Sequence, residues 1–522
     1  MSTESFKTCS DGAESIELQE LEAMEESKGE QIQEINKDVI KDDTTVSDLE
    51  KQSPQPTPPK DNTPYSAFSQ NRKNFIVGLV TMAGFLGPVS GNIYIPILPL
   101  LQDVFKCSET TINATVSVFM AIFAIAPLLW ASWADFGGRK LLYLTSLVFF
   151  LISNILLASL PPNIGALFVL RIVQAFGASS VMSVGAGTVA DIVEPKDRAK
   201  AISYFMLGPQ LGPILGPILS IIASNGSWRW IFGFLAIYGG VVYLLIIFLL
   251  PETLRYLVGN GEIYNQHSKS ILNWFIIPKH LKQPKLVQDS PKYPKPPKPS
   301  LKNYYRILKY KPVLLCSINA GLLFATFYGM SVTFTRILQE NYGFTNLQRS
   351  LAYICPGASL ISGSLIGGRL SDKLRRYLIQ KNPETYVPEN RFSLQIFGLL
   401  ISMIGVLGYG WLVDKKVHVS AVFVFTFLGG FGMTWVFVTT TTYLTECSTR
   451  QPATNVAIGN FFRNSAAAIS SVLIDILIKK MGFGWCFTGL ALIDLIGLVF
   501  VIILMIKGPK WRKEWEKSLN QH

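Results

Sequence analysis

The stretch that decides the fold is Gly208-Pro209-Gln210-Leu211-Gly212-Pro213-Ile214-Leu215-Gly216-Pro217. It lies in an apolar run with no charged residue between Lys200 and Arg229. Because four residues of helix turn through about 400°, the three glycines form one slowly rotating stripe and the three prolines form another. A glycine stripe lets a second backbone approach closely in lipid, whereas each proline removes a helix hydrogen bond. The stretch therefore predicts a membrane helix. Its glycine stripe is either a plain helix-packing face or, together with the repeated prolines, part of a more specific functional motif.

Composition places the whole chain in the membrane class. The 522 residues are 49% apolar and only 16% charged. Apolar runs of about 20 residues recur along most of the length, and each is long enough to cross a bilayer core of about 30 Å. We count twelve such runs, six on each side of a polar, basic segment. The sequence therefore predicts an all-α membrane protein with 12 transmembrane helices in two six-helix halves.

Charge and composition also set the predicted boundaries. Residues 1–61 hold 6 Lys/Arg and 16 Asp/Glu, and such a polar segment cannot bury a core. Lys and Arg concentrate in the connections on one side, which predicts that both termini and the basic segment are cytoplasmic. The predicted organisation is a disordered acidic tail at 1–70, a first half at 71–250, a basic linker at 251–311, a second half at 312–506 and a tail at 507–522.

The chain lacks the usual signs of an enzyme. It has no nucleophile elbow, no HExxH motif and no Walker motif, and its four histidines fall outside the apolar runs. The six cysteines are scattered, which favours free thiols over disulfides or a metal site. We therefore predict no catalysis, cofactor or metal. The predicted partners are the lipid bilayer, a small organic solute and protons, without nucleic acid, and the chain is predicted to be a monomer.

A repeat ties the two halves together. The second run is followed by Ala131-x-x-Ala134-Asp135-x-x-Gly138-Arg139-Lys140, and the eighth ends in Gly368-Arg369-Leu370-Ser371-Asp372 before another basic cluster. In both, a small residue precedes an aspartate by four positions. Such an aspartate can cap the positive N-terminus of a neighbouring helix, and nearby arginines can pair with acids such as Asp191 or Glu446. A topology signal would need only the basic residues, so we predict that these loops act as gates.

These stretches resemble signatures of the major facilitator superfamily. The loop after the second run is similar to G-x-L-x-D-R-x-G-R-K, from which it departs at Ala131, Trp133 and Phe136. The glycine-proline stretch resembles the fifth-helix signature of facilitator antiporters. A third stretch, Arg171-Ile172-Val173-Gln174-Ala175-Phe176-Gly177, is similar to R-x-x-Q-G-x-G. Together they resemble the fungal 12-spanner drug:proton antiporters, in the quinidine-resistance and dityrosine-transporter branch.

The resemblance implies the major facilitator fold, with two pseudo-symmetric halves, and proton-coupled export across a fungal membrane. The implied substrates are drugs, weak acids or amino-acid derivatives. A dedicated exporter of one metabolite such as dityrosine, and a transporter-like sensor, remain open alternatives. The plasma membrane is the expected location, with the vacuolar and prospore membranes as alternatives.

Ionisable residues within membrane spans are costly and are therefore functional candidates. The resemblance implies proton coupling or substrate contact for Arg171 with Gln174, and pairing of Arg171 with helix-end carbonyls is the structural alternative. Arg463 and Asp494 are predicted either to take part in coupling or to pair with each other. Aromatic residues in a cavity wall would suit flat, cationic solutes, and the candidates are Tyr94, Phe205, Phe327, Trp435 and Phe461.

Overall fold

The computed structural model describes residues 65–220, 227–261, 263–264, 285–286, 296, 298–381, 386–447 and 451–520. The predicted acidic tail, up to residue 64, and most of the predicted basic linker lie outside the described residues.

Six long helices make up the first half, and short helical segments follow the first of them. Side-chain caps fix two of the helix starts, because the oxygens of Ser108 and Asn163 accept hydrogen bonds from backbone N–H groups of the first turn (3.2 and 3.1 Å). The helices are α1 Gln70–Asn92, a 3-10 turn Ile95–Ile97, α2 Leu98–Phe105, α3 Glu109–Gly137, α4 Arg139–Ser159, α5 Ile164–Ile192, α6 Arg198–Leu219 and α7 Arg229–Leu249.

The second half follows a connection that is only partly described. Its last helix is divided by Gly482, whose φ of 77° is incompatible with a continuous helix. The described part of the connection contains α8 Arg255–Val258, strands β1 Ile263–Tyr264 and β2 Lys285–Leu286 paired in parallel, and α9 Leu301–Lys309. The second half contains α10 Lys311–Glu340, α11 Asn346–Ala352, α12 Ile354–Lys381, a 3-10 turn Pro388–Arg391, α13 Phe392–Asp414, α14 Val419–Glu446 and α15 Pro452–Asn520.

Ten of the helices in the described chain are long and apolar enough to cross a membrane. Two more long segments, α12 and the part of α15 before Gly482, complete a set of twelve. Both carry small and polar residues, which lowers their hydropathy. The predicted all-α class and twelve-helix layout are confirmed. The last helix continues to Asn520, beyond the predicted end of the membrane region at 506.

The glycine stripe of α6 packs against α1. A Cβ added at Gly212 would lie 2.7 Å from the carbonyl carbon of Pro88, and one at Gly216 would lie 2.8 Å from Cβ of Asn92. One at Gly208 would overlap the carbonyl oxygen of Thr81. The absence of side chains is therefore what lets the two backbones meet.

The two halves meet along two related pairs of helices. In the first pair, α6 and α12, Ser364 Oγ donates to the carbonyl oxygen of Ser203 (3.1 Å). In the second pair, α3 and α15, three fully buried alanines form a separate cluster: Ala131, Ala453 and Ala457. Small residues at both seams bring the helices close together, and the sites described next lie at the ends of these seams.

Candidate functional site

Asp135 joins the two halves at the end of the bundle that is predicted to be cytoplasmic, called the cytoplasmic end below. Its carboxylate accepts hydrogen bonds from the backbone N–H groups of Ala453 (3.3 Å) and Thr454 (2.8 Å) and from the Thr454 hydroxyl (2.5 Å). These donors belong to the first turn of α15, so Asp135 lies at the positive end of a helix of the other half. Within its own half, Asp135 pairs with Arg139 (2.6 Å), which also pairs with Asp191 (2.9 Å).

Asp372 makes the corresponding contacts at the other seam. Its carboxylate accepts from the backbone N–H groups of Ala199 (3.2 Å) and Lys200 (2.7 Å), in the first turn of α6. It also pairs with Arg391 (2.9 Å), and Arg391 pairs with Glu446 (3.0 Å). Each half thus provides one buried aspartate that caps a helix of the opposite half. Their role as gates remains a prediction.

Sequence reasoning missed Arg391 and Glu252. Arg391 lies 19 residues after Asp372, well beyond the basic cluster that directly follows this aspartate. It immediately precedes the third span of its half, and Arg139 begins the third span of the first half. That equivalence was the available signal. Glu252 follows the sixth span and accepts hydrogen bonds from the backbone N–H groups of Arg139 (2.9 Å) and Lys140 (3.1 Å), so it caps α4.

Gly138 makes the turn between α3 and α4 possible. Its φ of 113° lies in a region that residues with a side chain rarely adopt. A Cβ at this position would also lie 2.7 Å from a carboxylate oxygen of Glu252. A glycine is therefore required here both by the backbone conformation and by the space that the capping carboxylate occupies.

Hydrogen bonds between the halves extend from the cytoplasmic end to mid-depth. Besides those of the two aspartates, Arg391 Nη2 donates to the carbonyl oxygen of Pro195 (2.6 Å). Further in, Asn460 Nδ2 donates to Ser183 Oγ (3.3 Å). Ser183 lies nine residues before the end of α5, close to the middle of that span. The structure is therefore closed at its cytoplasmic end.

Arg171 is buried inside the first half. Its guanidinium carbon lies 4.2 Å from the ring centroids of both Tyr94 and Phe119. Its Nη1 donates to the carbonyl oxygen of Ser90 (3.2 Å), near the end of α1, and to Gln174 Oε1 (2.8 Å). Arg171 thus makes the helix-end contact expected of the structural alternative. Its Nε and Nη2 have no hydrogen-bond partner within the described chain.

Arg463 and Asp494 do not form the pair considered from the sequence. Asp494 Oδ1 accepts a hydrogen bond from Thr326 Oγ1 (3.1 Å), because the buried face of the last span packs on α10. Arg463 instead points toward the first half, where its Nη2 lies 3.6 Å from the sulfur of Met182. Its guanidinium lies over the rings of Phe324 (4.9 Å) and Phe437 (4.5 Å). The pairing hypothesis is therefore wrong, and Arg463 lies at the boundary between the halves.

The aromatic candidates have different environments. Phe205 is fully buried between Gly84 and Gly185, inside the first half. Trp435 packs against Gly367 and Gly398, inside the second half. Both are buried packing residues of their own half in this conformation, and their place in a cavity wall stays a prediction. Three others lie near the buried arginines or at mid-helix positions: Tyr94 under Arg171, Phe327 beside Gly430, and Phe461 against Phe462.

Some known proteins are similar to this chain in sequence, and others are similar to it in fold. The chain is 48% identical over 472 residues to the multidrug transporter DTR1 of Candida glabrata, covering 86% of this chain and 87% of that protein. It is 46% identical over 493 residues to dityrosine transporter 1 of Saccharomyces cerevisiae, covering 90% and 86%. The proton:xylose symporter XylE has a similar fold, with a TM-score of 0.62 and 14% identity over 84% of this chain and 96% of that chain. A family model described as Major Facilitator Superfamily matches residues 80–412, and the chain belongs to that superfamily.

Proposed function

We propose that this chain is a proton-coupled exporter of small organic solutes that carry carboxylate groups beside aromatic or apolar surface. The observation that supports the proposal is Arg463, a buried guanidinium at mid-depth on the boundary between the two halves. In this fold a solute must pass along that boundary, because alternating access moves one half against the other around a fixed site.

The surroundings of Arg463 favour an anion over a cation. Its Nε has no hydrogen-bond partner within the described chain, and none of the described acids forms an ion pair with it. An arginine keeps its charge and offers a planar fork that matches a carboxylate. The rings of Phe324 and Phe437 beside it can contact an aromatic group of the same solute. This preference departs from the cationic solutes expected from the aromatic residues alone.

The names of the relatives are compatible with this class. Dityrosine, the solute named for the relative from Saccharomyces cerevisiae, consists of two tyrosines linked through their aromatic rings, with a carboxylate on the α-carbon of each. The relative from Candida glabrata is named for multidrug transport. We therefore propose amino-acid derivatives with aromatic rings as the first candidates, and drugs with acidic groups as the second. The plasma membrane remains the expected location.

Asp494 is our candidate for the proton carrier. The acids at the cytoplasmic end include three that each pair with an arginine: Asp135 and Asp191 with Arg139, and Glu446 with Arg391. Asp494 is buried within a span, forms no ion pair in the described chain, and has one oxygen without a hydrogen-bond partner. A carboxylate in such surroundings is a functional candidate by default.

The experiment is uptake into inside-out membrane vesicles with an acidic lumen, using dityrosine, a monocarboxylic weak acid and a cationic dye. We expect accumulation of the carboxylate solutes, abolished by a protonophore. Arg463→Gln should reduce their uptake at least tenfold because a hydrogen bond to a charged group is lost, while Arg463→Lys retains part of it. Arg229→Gln is the matched control, because Arg229 begins α7 at the end of the bundle away from the cytoplasmic end. Uptake of the dye alone, or carboxylate uptake unaffected by Arg463→Gln, would refute the proposed substrate class.

A further inference from the structure

Tyr65, just before α1, is inserted into the cytoplasmic end of the bundle. Its hydroxyl donates to the carbonyl oxygen of Ala190 (3.0 Å), near the end of α5. The same hydroxyl accepts a hydrogen bond from Arg198 Nη2 (2.8 Å), at the start of α6. Tyr65 therefore bridges two helices of the first half at the point where they approach the second half. None of the recognised sequence motifs includes this residue.

Arg198 continues the bridge into the other half. Its Nη1 donates to the carbonyl oxygen of Thr445 (3.4 Å), close to the end of α14. Its other nitrogens donate to the carbonyl oxygens of Ala190 (3.1 Å) and Val193 (3.3 and 3.4 Å). The guanidinium is buried, so these oxygens and the Tyr65 hydroxyl determine its orientation. Only the bond to Thr445 joins the two halves, and it must break when the cytoplasmic end opens.

A second set of contacts holds Tyr65 from the opposite side. The guanidinium carbon of Arg255, in α8, lies 3.5 Å from the centroid of the Tyr65 ring. Arg255 Nη2 also donates to the backbone carbonyl oxygen of Tyr65. Two residues further on, the backbone N–H of Ala67 donates to the carbonyl oxygen of Asn260 (2.9 Å). The ring and backbone are thus anchored to the segment after α7, independently of the hydroxyl.

We infer that Tyr65 is a positioning residue of the cytoplasmic gate. Its hydroxyl orients Arg198 toward Thr445 and so stabilises the state that is closed at the cytoplasmic end. The chain segment that precedes the first span is by this contact part of the machinery of alternating access. The inference concerns the gate and does not depend on which solute is carried.

The test uses the full-length chain with Ala457→Cys as a reporter. Ala457 is buried at the seam between α3 and α15, so a cysteine there reacts with a membrane-impermeant maleimide in inside-out vesicles only when the cytoplasmic end opens. Tyr65→Phe removes the hydroxyl but keeps the ring on Arg255. The bond between Tyr65 and Arg198 lies within one half, so its loss acts on the gate through the bond from Arg198 to Thr445, which the hydroxyl no longer orients. Because the labelling rate follows the open population, we expect it to rise by up to about tenfold, the effect of losing that one hydrogen bond from a charged group.

Labelling of the chain without the reporter cysteine is subtracted from every measurement. Two further variants serve as controls. Tyr305→Phe makes the same chemical change on an exposed ring of the same side and should leave the rate unchanged. Adding Tyr65→Phe to Arg198→Gln should have no further effect if the hydroxyl acts through Arg198. An unchanged rate in Tyr65→Phe, an equal rise in Tyr305→Phe, or additive effects in the double variant would each overturn the inference. None of these measurements requires transport, so they can fail or succeed separately from the proposed substrate.

Discussion

Asp135→Asn tests whether the capping aspartates hold the cytoplasmic end closed. The substitution keeps the shape of the side chain but leaves one acceptor oxygen and introduces an NH2 group. If that oxygen faces Thr454, the NH2 group faces Arg139 and the N–H of Ala453, all of which are donors. The bond to Arg139 lies within one half, so its loss affects the open and closed states alike. Only the bonds to Ala453 and Thr454 change the balance between the two states.

The contacts between the halves allow the shift to be estimated. The lost bond to Ala453 had a charged acceptor, which corresponds to about 1.5 kcal/mol. The two bonds from Thr454 become bonds to a neutral acceptor, and the favourable interaction with the N-terminus of α15 is lost, which together removes a further ~1.5 kcal/mol. The closed state is therefore destabilised by about 3 kcal/mol, and the ratio of open to closed molecules rises about 100-fold.

The assay is maleimide labelling of Ala457→Cys in inside-out vesicles, run beside solute uptake in the same preparation. We expect labelling to increase up to 100-fold and uptake to be lost, with normal amounts of protein in the membrane. Asp197→Asn is the matched control, because this carboxylate lies at the same end and makes no hydrogen bond or ion pair within the described chain. Normal uptake and unchanged labelling in well-expressed Asp135→Asn protein would show that the loop is not a gate.

Two further substitutions test the packing and the coupling. Gly212→Ala should block uptake, because its Cβ would lie 2.7 Å from the Pro88 backbone. Gly78→Ala is the control and should not block uptake, because nothing lies within 4 Å of its Cβ. Equal uptake by the two variants would contradict the close approach of α1 and α6. Asp494→Asn should still equilibrate solute but fail to accumulate it against a gradient, with the exposed Asp414→Asn as control; retained accumulation would place the proton site elsewhere.

The sequence predicts contacts best where a regular helix or a repeat fixes the geometry. The stripe of Gly208, Gly212 and Gly216 follows from helical spacing alone, and a stripe without side chains must face a close neighbour. The repeated aspartates could likewise be found because both halves keep the same spacing. Neither pattern says which helix is the neighbour. Only the structure shows that the glycine stripe packs against α1 and that Asp135 caps α15.

Contacts between distant helices could not be predicted in this way. Arg463 and Asp494 were matched because both are charged and lie about ten residues into adjacent spans. In the structure the face of the last span that carries Asp494 turns toward Thr326 on α10, while Arg463 turns toward Met182 in the other half. The direction of each side chain depends on the packing of neighbouring helices, and the polarity of a residue does not reveal it.

The arrangement of arginines explains how the cytoplasmic end can open without leaving a buried charge unpaired. Asp135 and Asp372 each contact the opposite half through neutral donors at helix starts, and each is neutralised by an arginine of its own half. Those arginines are held by second acids, Asp191 and Glu446, also within the same half. An uncompensated buried charge costs several kcal/mol, more than a hydrogen bond to a helix start. When the halves separate, the ion pairs therefore remain intact. The bonds that break are the capping bonds and the other hydrogen bonds between the halves, such as those from Arg391 to Pro195 and from Arg198 to Thr445. The free energy needed to open the gate is then set by a few hydrogen bonds at each seam. The binding of a solute or a proton can supply a free energy of that size.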